Sequence, residues 1–305
     1  MTAEASSNSK NSILFRTFQG FLRAIPWPVH RFIISSASML AYHAARSRTR
    51  TARVNLDLAF GDTLGASEKK RIILRTYQNL FHLTLDTILN QGASREAILS
   101  KVTFENAKIL EDALASGRPI IFMTAHYGNW ELGTLAIAAK YTPIHIVGRP
   151  LEWPWADRIL SATREQFGVR IIPKRRAMKP MMRSLRQGIP VGLVVDQNTS
   201  AKDGILIDFF AHKARHTPAA ALLARKLDAL VIPVFSRTND FRHWTVTFHP
   251  PIEMQKSDDL DADIRRHVQA QAAITEKVIL QKPDEWFWLH QRWKNQYEEL
   301  YRGKK

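Results

Sequence analysis

The chain has 305 residues, 45% of them hydrophobic, which is enough apolar material for one large core or two smaller ones and too much for a disordered chain. It contains no cysteine, which excludes disulfides, thiolate metal sites and cysteine nucleophiles and suits a reducing compartment. Lys and Arg outnumber Asp and Glu by 44 to 28, a formal charge of +16, so an anionic partner is expected: nucleic acid, an anionic membrane or an acidic protein.

The opening MTAEASSNSKNS is polar, with no small-residue cleavage pattern after a compact apolar stretch, so no secretory signal is expected. Residues 13–25, ILFRTFQGFLRAI, set Leu14, Phe18, Phe21, Leu22 and Ile25 at helical spacing, with Arg16, Gln19 and Arg23 largely off that stripe. This predicts an amphipathic helix, which PWP at 26–28 ends. A second apolar run, Phe32 to Ala45, lies between Arg31 and Arg46; its 14 residues fall short of the ~20 that a membrane-spanning helix needs. An interfacial helix with a basic end fits this run, and so does a helix packed on its own domain. Across residues 1–60 the only acids are Glu4 and Asp57, against eight cations from Lys10 to Arg53. A second cation cluster without an acid runs from Arg170 to Arg186.

After a helical segment near 67–90 the pattern changes. PIIFMTA, IHIVG, VRII, PVGLVVD, GILIDFF, LVIPVFS and HWTVTF read as strands, separated mostly by amphipathic pieces such as NWELGTLAIAAKY, WADRILSATREQFG, MKPMMRSLRQG and PAAALLARKLDA. Strands alternating with helices predict an α/β fold, a mostly parallel mixed sheet flanked by helices, preceded by an N-terminal helical, membrane-associating segment. The boundary is placed near residue 92, giving segments 1–92 and 93–305. In such sheets ligands gather at the carboxyl ends of strands, which is where His126 follows PIIFMTA and Asp196 ends PVGLVVD.

TAHYGNWE, residues 124–131, places His126 five positions before Glu131. With 11 His and 28 acids in the chain, about one such pair arises by chance, so spacing alone carries nothing. On an ideal helix the two would lie roughly 140° apart. With His126 on the loop and Gly128 allowing a sharp turn, however, Glu131 in the first helical turn can fold back onto the imidazole, fix its tautomer and leave the other nitrogen to take a proton. No G-x-S-x-G elbow, phosphate loop or H-E-x-x-H pair is present. The base is therefore expected to act directly on a substrate hydroxyl, with neither metal nor cofactor.

The ordered set GRPIIFMTAHYGNWE, VGRPLEWPWADRILSATREQFG, VVDQNTSAKDGILIDFFAHKARHTPAAALLARK and PDEWFWLHQRWK resembles the late acyltransferases of lipid A biosynthesis, over almost the whole chain from PWPVHRF to WFWLHQRWK. Glu rather than Asp at 131, and the absence of an FPEGTRS-type segment, point away from the glycerol phosphate branch of the wider group. The resemblance implies O-acyl transfer from acyl carrier protein to a hydroxyl of a lipid A precursor or related glycolipid, at the cytoplasmic face of the inner membrane. It makes His126 and Glu131 a general base pair, gives Arg164 an oxyanion or phosphate to stabilise, and makes Asp196 a supporting acid. Arg149, at a strand end, is a candidate substrate contact. A nucleic-acid-binding protein remains the reading from another class, but no such motif appears and the cations flank apolar helices rather than interleave with aromatics.

Overall fold

The computed structural model describes residues 14–302. Helix α1 covers residues 14–24, and is followed by α2 (Trp27–Ala44), α3 (Arg46–Phe60), α4 (Ala66–Asn90) and α5 (Arg95–Leu99). Then come β1 (Val102–Glu105), α6 (Ala107–Ala115), β2 (Ile120–Thr124), α7 (Trp130–Lys140), β3 (Ile144–Gly148), α8 (Pro154–Glu165), β4 (Val169–Pro173), α9 (Met178–Arg186) and β5 (Val191–Val194). The remainder is β6 (Ile205–Phe209), β7 (His212–His216), α10 (Ala219–Leu227), β8 (Leu230–Thr238), β9 (Trp244–Phe248), α11 (Leu260–Gln281) and α12 (Glu298–Tyr301).

Seven strands form one sheet in the order β1-β9-β8-β2-β5-β3-β4, and every neighbouring pair is parallel except β8 with β9. This is the mostly parallel mixed sheet expected from the alternation. The central strand β2, IIFMT, is buried on both faces, as continuous apolar runs in α/β sheets are. Ile121 and Met123 point into a core shared with α3, α4 and α11, while Ile120 and Phe122 point into a second core with α6 and α7. The first core therefore crosses residue 92, since Leu56, Ile72, Ile73 and Tyr77 pack in it beside strand residues.

GILIDFF does not join the main sheet. It forms β6, paired only with β7 in a hairpin whose two turn residues, Phe210 and Ala211, have φ of 51° and 58°. Such a turn favours Asn or Gly, and their absence hides the hairpin from sequence reading. Tertiary contacts take their place: Phe210 is buried against Phe60 and Trp293, and its N–H donates to Glu276.

The N-terminal helices are amphipathic in an unusual sense. On α1 it is Gln19 that is buried, bonding to the carbonyls of Ile88 and Gln91 at the end of α4, while Leu14, Phe18 and Phe21 are exposed. Helix α2 buries a stripe of one residue per turn, His30, Ile34, Ser38 and Tyr42, and leaves Phe32 and Leu40 at 72% and 70% exposure. Among the described residues no helix is long and apolar enough to cross a membrane.

Candidate active site

Two adjacent parallel strands, β2 and β5, end at the same sheet edge, and the ladder between them runs one bond further, from Val195 N–H to Thr124 O. Immediately beyond, His126 and Asp196 meet. Asp196 Oδ1 lies 2.8 Å from His126 Nδ1, and Oδ2 accepts the His126 backbone N–H at 3.0 Å. The Trp286 indole N–H donates to Oδ2 at 2.7 Å. Burial by itself raises the carboxyl pKa; the imidazole charge and these donors outweigh it and hold Asp196 at about 2. An ionised carboxylate only accepts, so Nδ1 carries a proton, and in the neutral imidazole the lone pair is therefore on Nε2. The His126 side chain is 22% exposed, with Trp130 edge-on at 5.0 Å and the Gln197 amide nitrogen 3.4 Å from Nε2.

The turn that presents His126 depends on Gly128. Its φ is +59°, and a Cβ there would lie 1.8 Å from the backbone oxygen of Ser236 on the neighbouring β8. Gly128→Ala is therefore expected to cost more than about 3 kcal/mol, combining left-handed strain with a backbone clash, and to lower the melting temperature accordingly. A melting temperature within a few degrees of wild type would contradict this geometry. Asn129 then starts α7, accepting the Leu132 N–H at 2.9 Å as N-cap and donating to Asp86 at 2.8 Å.

Glu131 does not fold back onto His126, contrary to the expectation from the five-residue spacing. Its carboxylate takes a two-pronged bond from Arg164 on α8, Nε at 2.8 Å and Nη2 at 2.6 Å, and a third from Trp130 Nε1 at 3.1 Å. The physical reason is that the imidazole nitrogen Glu131 would hold is already occupied by Asp196, whereas α8 brings a guanidinium to the start of α7. Both partners of the Glu131–Arg164 pair are 14% exposed. Arg149 is exposed just past β3, on the strand beyond β5, and makes no bond to the His126 cluster among the described residues.

Sequence reasoning missed Trp286 and Gln197. Trp286, Trp288 and Trp293 of WFWLHQRWK are buried in the core, and Trp286 is also a donor to the site. The segment carrying it is tied to the His126 backbone, through Phe287 N–H to the His126 carbonyl at 2.9 Å, and to the N-terminal helices. Asn79 donates to Asp284 O, and Asn55 to Trp288 O and His290 O. Buried Arg292 adds a positive field near Asp196.

The family model described as bacterial lipid A biosynthesis acyltransferase matches residues 12–295. The chain belongs to this family. Among the similar proteins, "Lipid A biosynthesis acyltransferase" of Haemophilus influenzae is 22% identical over 287 residues, covering 92% of this chain and 87% of the relative. "Lipid A biosynthesis acyltransferase 2" of Shigella flexneri is 23% identical over 250 residues, covering 80% and 77%. A 1-acyl-sn-glycerophosphate acyltransferase structure from Thermotoga maritima aligns with 82% of this chain and 97% of its own at 12% identity, with a TM-score of 0.37. This lipid A acyltransferase family member thus sets its histidine at a strand end, on a buried carboxylate from the next strand.

Proposed function

We propose that the chain moves a fatty acyl group from acyl carrier protein to a hydroxyl of a lipid A precursor, with His126 as general base and Asp196 as the residue that orients it. The acceptor O–H gives its proton to His126 Nε2 while its oxygen attacks the thioester carbonyl. The tetrahedral oxyanion collapses by breaking the C–S bond, and the imidazolium returns the proton to the leaving thiolate, giving an ester and a free thiol. Arg164 supplies positive charge for the oxyanion or a substrate phosphate, and Glu131 positions it. Arg149 contacts substrate at the same sheet edge. The observation that carries the reading is the buried Asp196 on Nδ1, which leaves Nε2 as the accepting nitrogen.

The anionic substrates are supported by charge: Arg170, Lys174, Arg175, Arg176, Lys179, Arg183 and Arg186 are all exposed, around β4 and α9. Contact with a membrane is supported by the outward apolar faces of α1 and α2, and the reading places it at the cytoplasmic face of the inner membrane. Mass spectrometry of lipid A from cells with and without the gene tests the function. Loss of one acyl chain, restored by the wild-type gene and not by His126→Ala, is expected; an unchanged lipid A profile would refute it.

Glu131→Gln should lower the transfer rate without changing acyl chain preference, because the bidentate hold on Arg164 is broken while the donor pocket is untouched. If Glu131 acts only through Arg164, removing both charges together should slow transfer no more than the worse single change. An altered chain preference at an unchanged rate would instead place Glu131 in the acyl pocket.

A further inference from the structure

A second polar site lies outside the catalytic edge, where the N-terminal helices meet the body of the protein. A cleft of about 530 Å³ opens between the α1–α2 junction and the segment joining α4 to β1. Among the described residues its lining holds three cations, Arg23, Lys101 and Arg242, with His30, and no carboxylate; behind the lining Asp86 partly balances Lys101 and leaves Arg23 and Arg242 without an acid. Arg23 is spent partly on the Leu89 carbonyl at 3.0 Å and Lys101 partly on Asn90 Oδ1 at 2.6 Å, while the Arg242 guanidinium lies 5.9 Å from the centre of the Trp27 ring. His30 is 8% exposed, and its Nε2 has no hydrogen-bond partner among the described residues. A buried imidazole nitrogen without a partner costs free energy unless a ligand meets it, and like charges brought together disfavour each other, as Arg23 disfavours the charge of Lys101.

We infer that this cleft binds a phosphate group, and that its source is the headgroup of a membrane glycerophospholipid. Phosphate supplies what the lining lacks: negative charge for Arg23, Lys101 and Arg242 and an oxygen for His30. The lipid source follows from what flanks the cleft. Arg23 and Ile25 end α1, and Trp27 and His30 begin α2, the two helices that turn Leu14, Phe18, Phe21, Phe32 and Leu40 outward. An acyl tail laid along those faces leaves its phosphate at the junction, with Trp27 in the amphipathic position such rings take at a bilayer surface. The site does not touch His126 or Asp196, and the inference goes beyond the transfer reaction.

Calorimetric titration of the full-length protein with dihexanoyl phosphatidylglycerol, with inorganic phosphate, and with vesicles of phosphatidylglycerol in phosphatidylcholine tests it. Arg242→Gln, at an exposed residue, is the main variant, and His30→Gln the second. Saturable binding of the short-chain lipid, weakened at least about tenfold by Arg242→Gln, is the expected result, on the scale of one charge-assisted bond. Inorganic phosphate binding with the same loss would keep the phosphate site and assign it a soluble source. Arg265→Gln, which removes one exposed cation of α11 outside the cleft, is the control. If it weakens vesicle binding as much as Arg242→Gln does, the attraction is diffuse charge and the inference fails. It also fails if neither phosphate compound binds the wild-type protein.

Discussion

Asp196→Asn is expected to leave the protein folded and to lower acyl transfer by between about 100- and 10,000-fold, the range over which a misoriented base loses its function. Three N–H groups converge on two oxygens: His126 Nδ1 on Oδ1, and the His126 backbone together with Trp286 on Oδ2. An asparagine must replace one oxygen with a donor. At the Oδ2 position its NH2 would face two donors; at the Oδ1 position it would face only the imidazole, which can adapt by moving its proton to Nε2. The second arrangement preserves the fold and removes the lone pair that accepts the substrate proton.

The same carboxylate gives a stability signature. Its folded pKa of about 2 lies below the ordinary aspartate value, so its contribution is present above about pH 4 and is lost as pH falls through about 2. A shift of this size corresponds to roughly 2–3 kcal/mol. Acid unfolding followed by circular dichroism should show that increment in wild type and not in Asp196→Asn. Identical acid transitions would remove the electrostatic account of the pair.

His126→Ala is expected to reduce transfer at least as much as Asp196→Asn, and by no less than about 100-fold, because it removes the proton acceptor itself. The fold should tolerate the change. His126 is partly exposed, and the backbone bonds at this position, its N–H to Asp196 and its carbonyl to Phe287, do not need the ring. Asp196 would be left buried without the imidazole but with its backbone and Trp286 donors, so a fall in melting temperature of several degrees should accompany the large fall in rate. A folded variant with near wild-type turnover would exclude His126 as the base.

The alternating core of the fold, β2 through β5 with its connecting helices, was legible because the apolar runs of β2, β3 and β4 each end at a turn signal and are followed by a helix-period stretch. Strand β1 was not, since VTFE is short, half polar and only partly buried at the sheet edge. For the site, His126 and Asp196 could be placed at strand ends, but not next to each other. That adjacency depends on β5 pairing with β2 although β3 and β4 intervene in sequence, and sequence order does not encode it. The nearby Glu131 filled the gap in the reading, while its real partner, Arg164, sits on a helix that crosses α4. Trp286 lay hidden for a related reason: one aromatic ring can pack a core with its carbon edge and support a carboxylate with its nitrogen.

Whether His126 and Asp196 act as one unit is decided by a double-mutant cycle. Single-turnover rates of acyl transfer from acyl carrier protein to a lipid A precursor would be measured for wild type, His126→Ala, Asp196→Asn and the double variant. If Asp196 works only by orienting the imidazole, the double variant should match His126→Ala within about twofold, since nothing remains to be oriented. Losses that multiply in the double variant, or an Asp196→Asn protein as active as wild type, would show that the two residues act independently and would contradict the account.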